Sequence, residues 1–229
     1  MDNALYRSVS LRRIEAAHAS EPLMQRAGAA AAAWAAELAI QRERPVLVLA
    51  GPGNNGGDAF EAARLLREQF FETCVVFAGD SGKLPPDAAA AYQRFVEAGG
   101  TTRNAIPAAG QWSLIIDGLF GIGLARAPAG QYAEWIGLAN DAAARDGCPL
   151  LALDGPSGLN ADSGQAFQPC IRASHTITFI AAKPGLLTAE GPDHCGETRV
   201  AGLARTPESE VPADGRRVAI ADFSSHLAP

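Results

Sequence analysis

Three segments, far apart in this sequence, share one pattern: a short apolar run leads into glycines that flank an acid or amide. They are residues 49–58 (LAGPGNNGGD), 115–123 (IIDGLFGIG) and 152–158 (ALDGPSG). Such short apolar runs are typical of strands buried on both faces of a parallel sheet. The carboxyl ends of parallel strands meet at one edge of a sheet, and ligands bind in the crevice there. The pattern therefore predicts that the three segments converge on one site.

Strand-like runs alternate with helical stretches along the whole chain. This alternation predicts the α/β class, as a Rossmann-like three-layer sandwich with a mostly parallel sheet. With 229 residues, no internal repeat and no Pro/Ser-rich linker, we expect a single domain over residues 1–229. A polar stretch over 205–217 is expected to be a loose connection. The predicted helices lie within about 8–40, divided at Glu21 and Pro22, and over 58–69, 86–97 and 130–144; the predicted strands cover 45–50, 74–78, 114–116, 150–153, 176–180 and 218–220.

Composition excludes several classes of partner. The net charge is −6 and Lys/Arg clusters are absent, which argues against a nucleic-acid-binding surface. The most apolar stretch, residues 27–40, is shorter than the ~20 residues that cross a bilayer. The four cysteines lack a Cys-x-x-Cys pair, and the four histidines are scattered, so we assign neither set any chemistry. We expect a cytoplasmic protein with no nucleic-acid or membrane partner; whether it forms a homo-oligomer stays open.

The first loop contains a literal G-x-G-x-x-G at Gly51, Gly53 and Gly56, between a strand and a helix. This pattern is typical of a dinucleotide site, with Asp80 as a candidate ribose-binding acid, and it favours an NAD(P)-dependent oxidoreductase. Asp58 argues against that interpretation, because at the expected helix start it would cap the helix and repel a pyrophosphate. The chain also offers no Tyr/Lys or His/Asp pair suited to hydride transfer. The oxidoreductase stays an alternative, as does a non-catalytic nucleotide-binding or protein-docking module of the same fold.

Three oxygen-bearing side chains follow the apolar runs, namely those of Asn55, Asp117 and Ser157. Oxygen ligands suit a hard cation, and their low total charge favours a monovalent ion over calcium. Any one of them alone has a simpler interpretation as a turn or capping residue. Lys183, which follows a later strand, is expected to be a solvated lysine, with contact to a phosphate or carbonyl as the alternative.

Segments 51–58, 117–123, 154–159 and 178–186 resemble, in this order, the signatures of the NAD(P)H-hydrate epimerases, the YjeF N-terminal domain. Residues 23–28 (LMQRAG) resemble that family's N-terminal helix, so the resemblance covers nearly the whole chain. There are departures. Ala59 stands where the family usually has glycine, and Gly118 stands where it commonly has alanine. Gly155, Asn160 and Ser174 also replace common family residues, but none of these changes removes a proposed ligand.

The resemblance implies an isomerase of nicotinamide nucleotide repair. Such an enzyme interconverts the R and S forms of hydrated NADH and NADPH (NADHX and NADPHX). Its functional partner is an ATP- or ADP-dependent NAD(P)H-hydrate dehydratase that accepts only the S form. Residues 185–188 and 223–229 resemble the end of the epimerase half of bacterial bifunctional enzymes. The chain is therefore either such an N-terminal half or a free-standing epimerase.

The resemblance also implies site residues. Asp154 would be the catalytic acid/base group. Asn55, Asp117 and Ser157 would hold one potassium ion (K⁺) per chain. The role of Lys183, the proton path and the preference between NADHX and NADPHX stay open. The implied substrate-binding residues are Asn54, Asn55, Gly56, Gly57, Asp58, Gly121, Ile122, Gly123, Leu124, Ala125, Arg126, Ala127 and Asp154.

Overall fold

The computed structural model describes residues 3–203 and 211–218. Most predicted elements are present, with ends displaced by a few residues. Of the predicted strand over 218–220, Val218 lies outside any strand and the other two residues lie outside the described part. In chain order the elements are β1 (Ala4–Leu5), α1 (Ser8–Ala17), α2 (Leu23–Leu38), β2 (Val46–Ala50), α3 (Asn54–Glu68), β3 (Thr73–Val76), α4 (Pro86–Glu97), β4 (Thr102–Arg103), β5 (Leu114–Gly118), α5 (Gly130–Asp146), β6 (Leu150–Leu153), β7 (His175–Phe179), α6 (Gly191–Cys195), β8 (Glu197–Ala201) and β9 (Gly215–Arg216).

Within the described residues, seven strands form one sheet in the order β4-β3-β2-β5-β6-β7-β8, and every neighbouring pair is parallel. The chain enters the sheet at β2, moves outward to β3 and β4, and then returns to place β5 on the other side of β2. This reversal is the topological switch point of a doubly wound fold. The short strands β1 and β9 pair separately and antiparallel. The predicted α/β class with a mostly parallel sheet is confirmed.

Alternate side chains of β2 enter two different cores. Val46 and Val48 pack on the side of α2, α3 and α4, with Phe60 of α3 in the same cluster. Leu47 and Leu49 pack on the opposite side with α5. All five residues of the strand are buried, which explains why the run is apolar throughout instead of alternating with polar residues. Helices thus cover both faces of the sheet in three layers.

The alanine-rich stretch forms α2, a 16-residue helix whose small side chains pack closely against the core. Ala31 and Ala35 are completely buried. Close approach to α3 also requires Gly28, since a Cβ there would lie 2.2 Å from the Cβ of Glu61. None of the helices in the described part of the chain is long and apolar enough to cross a membrane.

The start of α3 differs from the prediction. The helix begins at Asn54, four residues before Asp58, and its N-cap is Gly53. The two glycines of its first turn disfavour a helix in isolation, but here packing decides. A Cβ on Gly56 would lie 2.0 Å from the carbonyl oxygen of Gly51, so this turn is pressed against the end of β2. The prediction of Asp58 as an N-cap is therefore wrong.

Candidate active site

A cleft of about 1030 Å³ opens at the carboxyl edge of the sheet, at the switch point between β2 and β5. Its walls are the first turn of α3, the loop after β5, the ends of β6 and β7, and one face of α1. The three glycine-flanked segments each contribute to it, as parallel strands at a switch point require. The charged and amide side chains that the site chemistry draws on are those of Arg12, Glu15, Asn54, Asn55, Asp58, Arg126, Asp154 and Lys183.

The structure brings most of the substrate-binding residues implied by the resemblance to this cleft. Gly56 and Gly57 do not line it, because they lie in the α3 turn that faces the sheet and α4. Ala127 does not line it either and follows the part of the loop that does. The residues that line the cleft are Asn54, Asn55, Asp58, Gly121, Ile122, Gly123, Leu124, Ala125, Arg126 and Asp154.

Asp154 directly follows β6 and has φ 66°, in the left-handed region that non-glycine residues rarely adopt. Its backbone is fixed from both sides. The Asp154 N–H donates to the Ile177 carbonyl at 2.7 Å, and the Thr178 hydroxyl donates to the Asp154 carbonyl at 3.1 Å. Because the surrounding structure holds this strained backbone conformation, it also fixes the direction of the Asp154 side chain.

Lys183 is buried, with 1% of its side chain exposed, so the prediction of a solvated lysine is wrong. Its ammonium donates to Asp154 Oδ1 at 2.5 Å, to Thr178 Oγ1 at 2.6 Å and to the Phe179 carbonyl at 3.1 Å. These acceptors come from the ends of β6 and β7, which meet only in the folded sheet. The sequence around Lys183 carries no sign of them.

The two oxygens of Asp154 have different surroundings. Oδ1 accepts from Lys183 and from the Phe179 N–H at 3.2 Å. Oδ2 lies 3.4 Å from the position that a Cβ on Gly121 would occupy, on the cleft side. Asn55 lies equally close to that position, with its Cγ at 3.5 Å. Glycine at position 121 therefore leaves room for a ligand between Asp154 and Asn55.

Asp58 lies in the second turn of α3 and is buried beside the same cleft. Desolvation raises its pKa well above the ordinary value, and the negative charges of Asp154 and Glu15 raise it further. A raised pKa favours the neutral form of the carboxyl, which repels a pyrophosphate less than a carboxylate does. The argument from Asp58 against an oxidoreductase is weakened accordingly.

Asp80, the candidate ribose-binding acid of an oxidoreductase, lies away from the cleft. It caps a short 3-10 turn by accepting from the Gly82 N–H at 3.0 Å. The G-x-G-x-x-G match thus lacks the acid that the dinucleotide fingerprint needs.

Asp117 and Ser157 meet beneath the glycine loops, and both are completely buried. Asp117 Oδ2 accepts from the Ser157 N–H at 2.7 Å, and Oδ1 accepts from the Ser157 hydroxyl at 2.6 Å. Burial raises the pKa of Asp117 to about 6, although hydrogen bonds from Ser157 and Leu119 oppose the shift. A cation beside this carboxylate would compensate for its desolvation.

The Asn55 side chain provides an observation that is independent of Asp117 and Ser157. Its Oδ1 and Nδ2 are both buried, and neither has a hydrogen-bond partner among the described residues. Unsatisfied buried amides are costly and rare in folded proteins. The backbone carbonyl oxygen of Asn55 lies 3.0 Å from the Cβ position of Gly118, the residue after Asp117, so the start of α3 packs against the end of β5. An unsatisfied amide oxygen, a carboxylate and a hydroxyl are donor types that fit a monovalent cation.

Two departures from the expected family pattern, Ala59 and Gly118, face each other. A Cβ on Gly118 would lie 2.5 Å from the Cβ of Ala59, far inside van der Waals contact. Alanine at 59 therefore fits with glycine at 118, whereas alanine at both positions would overpack the contact between α3 and β5.

Helix α1 is the part of the site that the sequence interpretation missed. Arg12, Glu15 and Ala16 face the cleft at the i, i+3, i+4 spacing of one helix face, and Ala19, just beyond the end of α1, lines it as well. Desolvation raises the pKa of Glu15, and the charge of Asp154 adds to the shift. This spacing was the available signal, but a short exposed helix with mixed charges gives no reason to look for a ligand.

Hydrogen bonds from Ser8 join the start of α1 to the segment after β6, close to the loop after β5. The Ser8 N–H and hydroxyl donate to Asp162 Oδ1 at 2.7 and 2.9 Å. The same hydroxyl also lies 3.2 Å from the Ile122 carbonyl, within hydrogen-bond distance. Ser8 therefore fixes the start of α1 against the cleft wall.

Comparison with known proteins gives concordant results. The family model described as YjeF-related protein N-terminus matches residues 20–185. An NAD(P)H-hydrate epimerase of Achromobacter xylosoxidans is 46% identical over 191 residues, covering 81% of this chain and 88% of that protein. One of Bordetella bronchiseptica is 43% identical, covering 81% and 80%.

Two further matches differ in length or in similarity. A bifunctional NAD(P)H-hydrate repair enzyme of Leishmania major is 39% identical over 90% of this chain, which spans only 38% of that protein. The crystal structure of the yeast protein YNL200c superposes with a TM-score of 0.62 at 19% identity, covering 78% of this chain and 76% of the yeast chain. The latter match shows the shared fold.

Proposed function

The chain belongs to the YjeF-related N-terminal family, and we propose that it is an NAD(P)H-hydrate epimerase, an isomerase that interconverts the R and S forms of NADHX and NADPHX. The observation that carries this proposal is the Asp154–Lys183 pair. It places a carboxylate with one free oxygen and a buried ammonium at the base of a cleft large enough for a nucleotide.

Epimerisation at a hydroxyl-bearing ring carbon needs one group that gives a proton and later takes it back. On the outward step, the Lys183 ammonium passes one proton to the Asp154 carboxylate, the C–O bond breaks with its electron pair on oxygen, and Asp154 delivers a proton to that oxygen, which leaves as water. Lys183 is then a neutral amine hydrogen-bonded to Asp154, and the Asp154 carboxylate faces the cationic ring. On the return step, water adds to the opposite face and gives one proton to Asp154, which returns a proton to Lys183. Atoms and charge balance over the cycle.

The rest of the cleft suits an anionic nucleotide. The first residues of α3 line the cleft, so the positive end of the helix dipole lies beside it. Burial and neighbouring carboxylates raise the pKa of Asp58, which favours its neutral, hydrogen-bond-donating form there. Asn54 and the loop over 121–126 complete the proposed substrate contacts.

Asn55, Asp117 and Ser157 are the residues that would hold one potassium ion per chain. When bound, the ion supplies positive charge beneath the first glycine loop. The three residues come from three cleft segments, because Asp117 lies near the end of β5, Ser157 lies beyond β6 and Asn55 lies in the first turn of α3. Hydrogen bonds from Ser157 to Asp117 join two of these segments.

A dehydratase that consumes the S form is the functional partner we propose. The Leishmania relative is a bifunctional repair enzyme longer than this chain, which supports a close link between epimerisation and a second repair step. We propose both NADHX and NADPHX as substrates.

The proposed activity can be tested with a mixture of R and S NADHX and a separate dehydratase. The dehydratase removes the S form, so the R form then disappears only as fast as it epimerises. We expect the protein to accelerate that disappearance well beyond the spontaneous rate, and heat-denatured protein to have no effect. Nucleotide binding without acceleration would instead establish the non-catalytic module.

The potassium site has a separate test in the melting temperature. Replacing choline chloride with potassium chloride at equal ionic strength should raise the melting temperature of the wild type by about 2–4 °C, the shift expected for roughly 1 kcal/mol of ligand-linked stability. Asp117→Asn keeps the shape of the side chain and removes its charge. The increase should disappear in this variant. An equal increase in both proteins would rule out these residues as the cation site.

A further inference from the structure

The positive side chains of the cleft divide into a paired one and two unpaired ones. Lys183 is saturated by Asp154, Thr178 and backbone carbonyls. Arg12 and Arg126 also line the cleft, but neither guanidinium forms a hydrogen bond or ion pair with the described residues. Both are exposed. In a protein with a net charge of −6, two unpaired guanidiniums in one cleft need an explanation.

The position of Arg12 shows that it is directed across the cleft wall. Arg12 lies on the cleft face of α1, one turn before Glu15. Its Nη2 lies 3.3 Å from the Cβ position of Gly123, so the guanidinium extends over the loop that follows β5. Arg126 belongs to the same loop. Ser8 donates to Asp162 through its N–H and its hydroxyl, and the hydroxyl oxygen lies 3.2 Å from the Ile122 carbonyl, so the start of α1 lies against this loop.

Arg12 does not form an ion pair with Glu15, although both lie on the same face of α1. Glu15, three residues further along α1, could form an i, i+3 ion pair with it. Instead, the only effect of Arg12 on Glu15 in the structure is a long-range lowering of its pKa, outweighed by desolvation and by Asp154. All five N–H donors of each guanidinium thus stay available to an anion.

We propose that Arg12 and Arg126 bind a phosphate group of the substrate, which makes Arg12 a substrate-binding residue supplied by the N-terminal helix. The proposal rests on the nucleotide substrate proposed above. A planar guanidinium binds phosphate through two parallel hydrogen bonds, which lysine cannot reproduce. NADHX offers a pyrophosphate, and NADPHX offers in addition a phosphate on its ribose. The shared chemistry is a phosphate, and the two sources can be separated.

Calorimetric binding of ADP-ribose and of ADP-ribose 2′-phosphate tests the proposal without turnover. Arg12→Ala and Arg126→Ala should each weaken binding about tenfold, as expected for loss of a charge-assisted hydrogen bond. Arg12→Lys should recover only part of the affinity. Arg13→Ala is the matched control, since Arg13 is the adjacent arginine on α1 and does not line the cleft; its effect should be below twofold.

The pattern of losses identifies the phosphate. Equal losses for both ligands assign the arginines to the pyrophosphate, whereas a loss confined to the 2′-phosphate ligand assigns them to the ribose phosphate and to NADPHX preference. In the epimerase assay the same variants should raise KM and leave kcat unchanged. Unaltered binding of both ligands by both alanine variants overturns the proposal, as does failure of the wild type to bind either ligand.

This design separates the inference from the proposed function. Weakened binding by the variants of a protein without epimerase activity would support the arginine site and refute the epimerase. An active epimerase whose arginine variants bind both ligands normally would support the epimerase and refute the arginine site.

Discussion

Two carboxylates of this protein form ion pairs in contrasting surroundings. Glu61, in the middle of α3, is completely buried, and both of its oxygens are paired: Oε2 with Arg64 at 3.0 Å and Oε1 with Arg94 of α4. Asp154 is partly buried, with one oxygen bound to Lys183 and the other directed to the cleft. Among the described residues, only Asp154 of the two has an oxygen without a partner.

The difference teaches which feature of a buried ion pair indicates function. Burial and pairing alone do not, since the Glu61 cluster has both and serves to join two helices. A structural pair satisfies every lone pair and lies in relaxed backbone, here inside a helix. Asp154 leaves an oxygen unused, has φ 66° and borders open space. These three features together make it the candidate for catalysis.

The largest expected effect is on turnover at Asp154. Asp154→Asn should lower the epimerisation rate per folded molecule by on the order of 10²-fold or more, because an amide cannot carry the proton. It should also lower stability, since the ammonium of Lys183 stays buried without a counter-charge. In the double variant Asp154→Asn/Lys183→Met, stability should return while activity stays lost. Activity of Asp154→Asn within a few-fold of wild type would place the proton transfer elsewhere.

Glu61→Gln should give the opposite result. Two arginines lose their counter-charge, so the free energy of unfolding should fall by about 1–3 kcal/mol, measured by urea denaturation. Epimerisation per folded molecule should stay within about twofold of wild type. Glu68→Gln is the matched control, because Glu68 pairs with the same Arg64 at the surface, where a salt bridge contributes about 0–1 kcal/mol. If fully folded Glu61→Gln protein also lost activity, Glu61 would not be a purely structural carboxylate and its contrast with Asp154 would fail.

The contact between Ala59 and Gly118 tests how precisely α3 must be seated for both regions. Gly118→Ala should destabilise the protein by about 1–3 kcal/mol through overpacking. Adding Ala59→Gly should recover much of this loss, although glycine inside a helix costs about 1 kcal/mol by itself. A thermodynamic cycle of the two single variants and the double variant measures the coupling. Additive effects would mean that the two exchanges are unrelated.

Asp58 is expected to give the smallest effect and to respond to pH with a defined sign. Its pKa is higher in the folded protein than in the unfolded chain, so the unfolded chain gives up its proton first as pH rises. Asp58 therefore lowers stability progressively above the ordinary carboxyl pKa, and Asp58→Asn removes that loss. The variant should match wild type in urea denaturation at about pH 4 and exceed it at pH 7, with little change in activity. A variant less stable than wild type at pH 7 would show that Asp58 is ionised.

The sequence predicted the fold well for identifiable reasons. Fully apolar runs such as Val46–Ala50 can only be strands covered on both faces, and Pro86 marks the first position of α4 as expected. The errors came where tertiary packing overrides local preference. Helix α3 starts at Asn54 because its glycines are pressed against the end of β2, and this moved Asp58 from a cap into a buried second turn.

The sequence by itself determined the α/β architecture, the family and the convergence of three glycine-flanked strand ends, because each of these depends on periodicity or on contiguous motifs. Only the tertiary structure decided the state of the groups in the cleft. The ammonium of Lys183 is buried because acceptors from β6 and β7 meet around it. The pKa of Asp58 is raised because neighbouring elements bury it, and Arg12 lies at the cleft because Ser8 fixes the start of α1 beside it. The pKa of Asp58, the hydrogen bonds of Lys183 and the position of Arg12 depend on neighbours that are distant along the chain, so the local sequence does not predict them.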